Sequence, residues 1–138
     1  MEKIVVPGKV EYLSQVQEFI NSKLKYYELL PKFQMQLELV IEEIFINIVK
    51  YAHMEDSSEN KIVIYSLFDE ESSVLTIKFV DKGIPFNPLK EEDPDLNADI
   101  ENRKIGGLGL FLVKKNTDEL EYKYKKGKNI LTFKKSLK

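Results

Sequence analysis

In the stretch EEIFINIVKYAH, residues 42–53, Glu43 and Asn47 stand four positions apart, and Lys50 follows. Apolar residues flank Asn47 on both sides. An amide among apolar neighbours costs free energy unless something bonds it. On a helix, positions i and i+4 share one face, so the carboxylate and the amide point the same way. Lys50 lies one further turn along that side. A carboxylate, an amide oxygen and an ammonium together suit a hydrated magnesium ion and a phosphate chain, because magnesium takes oxygen ligands and keeps several waters. The carboxylate could also accept a proton from an attacking hydroxyl. The plainer account is a helix with a solvated edge, on which Glu43 and Lys50 are surface charges.

Two further stretches carry chemistry-bearing residues. In VDKGIPF, residues 80–86, Asp81 ends a strand-like run and Gly83 follows. An aspartate at a strand end can accept a hydrogen bond from an exocyclic amine. A glycine beside it lets the backbone approach a flat ring. The same residues also make an ordinary turn. In IGGLGLFLVKK, residues 105–115, Gly106, Gly107 and Gly109 precede an apolar run. Free N–H groups at a helix start can cradle a phosphate. The spacing is not the Walker pattern, no preceding strand gives a Rossmann reading, and a flexible helix entry would look the same.

The elements that must position these residues can be read from periodicity. Lys3 to Val6 is a short strand, stopped by Pro7-Gly8. Helical spacing runs from Tyr12 to Leu30 through Leu13, Val16, Phe19, Ile20, Leu24 and Tyr27. Pro31 ends that helix and opens the next. The second helix is expected from about Lys32 to Met54, with a stripe of Leu37, Ile41, Ile44, Ile48 and Tyr51. KIVIYSLF and SVLTIKFVD alternate as strands and form a hairpin through residues 70–73. Residues 82–106 contain prolines, glycine and many acids and fit no strand or long helix. A loop of that length is usually functional or mobile. A helix over 107–118 and a last pair of strands, joined at Gly127-Lys128, complete the chain. The order implies an α+β, two-layer α/β sandwich. Its sheet is mixed, mostly antiparallel, with the helices on one face.

Composition narrows the classes. The 138 residues suffice for one domain with one core, spanning 1–138. A net charge of -2 argues against direct nucleic-acid binding, which needs a strong basic excess. Without cysteine there are no disulfides or thiolate metal sites, and one histidine cannot build an imidazole site. No apolar run approaches the length needed to span a membrane, and the N-terminus lacks the long apolar stretch of a signal peptide. A cytoplasmic protein with no membrane partner is therefore expected.

Taken in order, the three stretches and the long loop resemble the ATPase superfamily shared by gyrase, histidine kinases and a heat-shock chaperone. Within it, the chain is similar to the small bacterial anti-sigma-factor serine/threonine kinases and their stand-alone ATP-binding relatives. The resemblance covers nearly the whole chain and implies a Bergerat-type ATP-binding fold with ATP and Mg²⁺ as cofactors. It implies that Glu43 is the general base and that the Asn47 amide oxygen binds Mg²⁺, with Lys50 near the phosphates. Asp81 would receive the adenine amino group, supported by Gly83. Residues 87–105 would be a lid carrying Arg103, which could reach a phosphate. Gly106, Gly107 and Gly109, with Leu108, would surround the phosphates, and Thr132 would sit near the adenine.

The partners implied are a small anti-sigma-factor antagonist protein, phosphorylated on serine or threonine, and a sigma factor that the protein sequesters. Histidine kinases often carry asparagine where this chain has Glu43, which favours a serine-directed enzyme. The alternative is a non-catalytic, nucleotide-dependent module that sequesters a transcription regulator. A homodimer is left open.

Overall fold

A computed structural model describes residues 1–52, 60–90 and 107–138. Among these residues, five strands form one sheet: β1 (Glu2–Pro7), β2 (Lys61–Asp69), β3 (Val74–Asp81), β4 (Glu119–Lys125) and β5 (Lys128–Ser136), in the order β1-β2-β3-β5-β4. Every neighbouring pair is antiparallel, so the sheet is not mixed. Among the described residues, three α-helices accompany it: α1 (Leu13–Lys23), α2 (Pro31–Asn47) and α3 (Gly107–Lys115). The architecture is the expected α+β sandwich.

The sheet alternates strictly. Ile62 and Ile64 of β2, Leu75, Ile77 and Phe79 of β3, and Leu131 and Phe133 of β5 are buried. They meet Val16 and Ile20 of α1, Leu37, Val40, Ile41, Ile44 and Phe45 of α2, and Val113 of α3 in one core. Period-two alternation carries the outer residues, among them Lys78 and Thr132, to the opposite face. Ser66 shares the inner face of β2, and its hydroxyl has no hydrogen-bond partner among the described residues. Asp81 and Asn129 stand opposite each other on β3 and β5, both on the inner face at one end of the sheet.

All three helices depart from the sequence expectation, α3 least, ending at Lys115 rather than at 118. α1 stops at Lys23 rather than at Leu30. Pro31 holds Leu30 in an extended conformation (φ -64°, ψ 143°), so the chain must leave the helix beforehand. Single-turn bonds from Leu24 N to Asn21 O and from Tyr27 N to Leu24 O unwind it, both at 3.0 Å. Tyr27 instead packs edge-on against Phe68 and donates its hydroxyl to Leu137 O. α2 changes register after Asn47, where Ile48–Ala52 form a π-helical turn. Residues 53–54, expected to be helical, lie outside the described residues.

The β4–β5 hairpin turns at Lys126 and Gly127, both with positive φ (53° and 76°), one residue earlier than the Gly127-Lys128 expected. That pair of angles matches a turn whose twist follows the strands. At the other end of β5, Lys135 is 5% exposed. Its ammonium donates to Gln36 Oε1 of α2 (3.0 Å) and to Asn116 O just past α3 (2.7 Å), tying three elements together. Burial lowers its pKa, and Asp118 opposes that shift. Among the described residues, no helix is long and apolar enough to cross a membrane.

Candidate nucleotide site

At the end of the inner face where β3 finishes, α2, α3, β4 and β5 surround a cavity. Its walls include Asn47, Asp81, Phe86, Leu110, Tyr122 and Asn129. Most of the lining is apolar, and the polar groups come from four separate elements. Apolar walls with a few fixed polar groups are the usual makeup of a small-molecule site.

Asp81 is 2% exposed. Its Oδ1 accepts from Gly83 N (2.9 Å), an Asx-type turn that closes the chain tightly after β3. It also accepts from Asn129 Nδ2 (3.0 Å). A buried carboxylate with two such bonds is fixed in direction.

Asn47 ends α2 and is half-buried. Among the described residues, no partner is found for its amide, although apolar side chains surround it. A half-buried amide aimed into a cavity can take a ligand, and its oxygen is the kind of donor magnesium accepts. The residues present therefore fit a nucleotide with a divalent cation. The π-helical turn that follows gives the chain a wider pitch at this point, a feature that recurs at functional sites. In this turn Tyr51 stacks on Phe86, with ring centroids 5.0 Å apart and planes 21° apart.

Glu43 lies one α2 turn before Asn47 but does not line the cavity. Its carboxylate rests against Gly109 in the first turn of α3. A side chain on residue 109 would collide with it. Partial burial raises the pKa of Glu43, and Glu42 adds to the rise. The ammonium of Lys50 pulls it the other way. Lys50 itself is exposed.

The structure thus brings Asn47 and Asp81 into one cavity and sets Glu43 and Gly109 against each other beside it. α3 begins at Gly107, as the glycine stretch suggested. The first residues of the expected lid are described: Pro88–Lys90 form a single 3-10 turn, with Leu89 N capped by Asn87 Oδ1 at 2.9 Å. Arg103, Gly106 and the rest of the lid lie outside the described residues. Thr132 is a correction. It pairs with Lys78 and Glu121 on the outer face, across the sheet from Asp81, and cannot reach the cavity.

Sequence reasoning missed Asn129. It is 5% exposed and is the most heavily bonded side chain of the site. Nδ2 donates to Asp81 Oδ1 and to Ile84 O (2.9 Å), with a longer contact to Gly83 O (3.4 Å). Oδ1 accepts from Phe86 N (3.1 Å) and from the Tyr122 hydroxyl. Burial raises the Tyr122 pKa, the backbone N–H of Phe86 opposes the rise, and Asp81 adds to it. The signal was available: alternation along β5 puts Asn129, Leu131 and Phe133 on one face and Thr132 on the other.

Comparison with known proteins bears on the family and the fold. Proteins named Serine-protein kinase RsbW from Bacillus mycoides and Bacillus cereus are 27% identical over 130 residues, which is 91% of this chain and 79% of theirs. The RsbU and RsbW domains of Rv1364c from Mycobacterium tuberculosis superpose with a TM-score of 0.66 at 13% identity, covering 99% of this chain and 33% of that one. The histidine kinase domain of the blue-light activated histidine kinase EL346 from Erythrobacter litoralis gives 0.57 at 15% identity, covering 96% and 62%. These two likenesses speak for the fold. Residues 6–135 match the family described as the histidine kinase-like ATPase domain, and the chain belongs to that family.

Proposed function

We propose that this protein binds ATP with Mg²⁺, transfers the γ-phosphoryl group to a serine or threonine of a small anti-sigma-factor antagonist, and sequesters a sigma factor. The observation that carries the reading is the shared cavity of Asp81 and Asn47, with the Glu43 carboxylate one helical turn away. Asp81 accepts from the adenine amino group, and Gly83 keeps the backbone out of the ring's way. Lys50, Arg103 and the stretch Gly106, Gly107, Leu108 and Gly109 serve the phosphates. Among the described residues no group of three or more His, Cys, Asp or Glu side chains could hold a metal. In this reading the Asn47 oxygen, the phosphates and water hold the cation, the manner in which magnesium is commonly held. When bound, it would neutralise charge on the phosphate chain.

Glu43 takes the proton of the attacking hydroxyl. Its raised pKa suits that task, because a base works best when its pKa approaches the operating pH. Similarity to proteins named serine-protein kinase supports the choice of acceptor. Incubation with labelled ATP, magnesium and a candidate antagonist tests the reading, alongside calorimetry with ATP and ADP. Transfer of label to the antagonist is expected. Binding without transfer to any antagonist would remove the kinase assignment and leave a nucleotide-dependent binding module. Absence of binding at millimolar ATP would remove both.

A further inference from the structure

The inner end of β5 carries more polar bonding than the fold requires. Asn129 pairs across the ladder with Asp81, and the backbone register alone would hold the two strands together. Yet the Asn129 amide also reaches the loop after β3, bonding the chain at Ile84 and Phe86, and is itself seated by the Tyr122 hydroxyl. We propose that Asn129, held by Tyr122, is the positioning residue that sets base selectivity, fixing the Asp81 carboxylate and the Gly83–Phe86 loop as one receptor for a ring bearing an exocyclic amine. The proposal rests on the nucleotide-binding reading above and deepens it.

Residue chemistry supports an amide here. A carboxamide offers two N–H donors and two lone pairs, and at Asn129 both kinds are engaged. The donors meet a carboxylate and a carbonyl. The acceptor meets a backbone N–H and a phenol. An aspartate could not donate to Asp81 and would repel it. A hydroxyl side chain has only one proton to give. A leucine would leave the Asp81 carboxylate, Phe86 N and Ile84 O without these bonds in a buried place. The direction of the Asp81 carboxylate decides what it accepts. Adenine presents an amine at its six position, which donates. Hypoxanthine presents an oxo group there, which a fixed carboxylate repels. If the carboxylate can turn away, that repulsion is relieved.

The test compares ADP with inosine diphosphate, each with magnesium, by calorimetry on the full chain. Wild type is expected to prefer ADP strongly. In Asn129→Ala, ADP affinity should fall about tenfold or more, as expected when a charge-assisted bond is lost. Inosine diphosphate affinity should hold or rise, because the repulsion of its oxo group is relieved, so the ratio between the two shrinks. Tyr122→Phe removes one hydroxyl and keeps the amide. It should shrink the ratio by less, with a melting temperature close to wild type, and it carries the test if the alanine variant does not fold. A purely structural role would lower both affinities together or neither. A ratio unchanged in the folded variants overturns the positioning role while leaving nucleotide binding intact. A wild type that binds neither nucleotide overturns both.

Discussion

Gly109→Ala should silence phosphotransfer without weakening the fold. A β-carbon at residue 109 would overlap Glu43 Oε2 and stand 2.8 Å from the Glu43 carboxyl carbon. Carbon atoms in contact normally sit about 3.5–4.0 Å apart, so the carboxyl must retreat by about 1 Å. The end of a glutamate side chain can do this by rotating, and the cost to folding is small. Among the described residues, Gly127 is the glycine with positive φ, so the backbone at 109 accepts alanine. Within a helix, alanine is favoured over glycine by roughly 0.5–1 kcal/mol, so the melting temperature should hold or rise. Misplacing a catalytic group by 1 Å can cost about 10²-fold, or ~2.7 kcal/mol of barrier. Single-turnover transfer from labelled ATP to the antagonist reads the loss, and calorimetry reads ATP affinity. Adding Glu43→Gln to the variant should cost little more, because both changes remove one function. Transfer within a fewfold of wild type, at an equal or higher melting temperature, would refute the role of this close packing in placing the base.

Asp81→Asn should lower adenine nucleotide affinity by about 1.5–3 kcal/mol, roughly 10- to 150-fold, because an amide can present a donor to the adenine amine; equal affinity by calorimetry would take Asp81 out of the site. Glu43→Gln should keep ATP binding while transfer falls roughly 10²–10⁴-fold. The same variant has a pH signature in its melting temperature. Burial raises the Glu43 pKa, so the folded state disfavours the ionised form, and that cost appears as pH rises from the ordinary carboxylate range through the raised folded value. The glutamine variant should match wild type at acid pH and gain on it above that window; a constant difference across pH would contradict the assignment. Ser66→Ala should stabilise the fold by about 1 kcal/mol in urea unfolding, since the buried hydroxyl makes no bond among the described residues.

Much of this was legible in the sequence because the signals were periodic. Alternation in KIVIYSLF and SVLTIKFVD gave two inner faces, and the strand end placed Asp81 where the structure has it. The Glu43 and Asn47 spacing survived because both lie within the regular part of α2. What was not legible depended on contacts between distant segments. The π-helical turn after Asn47 leaves no mark in an apolar stripe that continues through Ile48 and Tyr51. Tyr27 fits a helical stripe, but it is held by Phe68 and Leu137 O instead. The all-antiparallel order required knowing that β5 inserts between β3 and β4. Asn129 was passed over for Thr132, three residues on, although an odd offset along a strand changes face.

The buried ammonium of Lys135 makes this chain self-reporting toward amine-modifying reagents. An acylating agent needs a free, accessible amine, and Nζ is enclosed by Phe33, Gln36 and the carbonyl of Asn116. Exposed lysines such as Lys50 and Lys128 should label at once. Lys135 should take label only during openings that part the end of α3 from α2. Once freed, its depressed pKa no longer applies, and acylation would block reclosure by removing the charge and adding bulk. Its labelling rate therefore measures how often the glycine-led helix α3 lifts from the helix carrying Glu43 and Asn47, without an engineered probe.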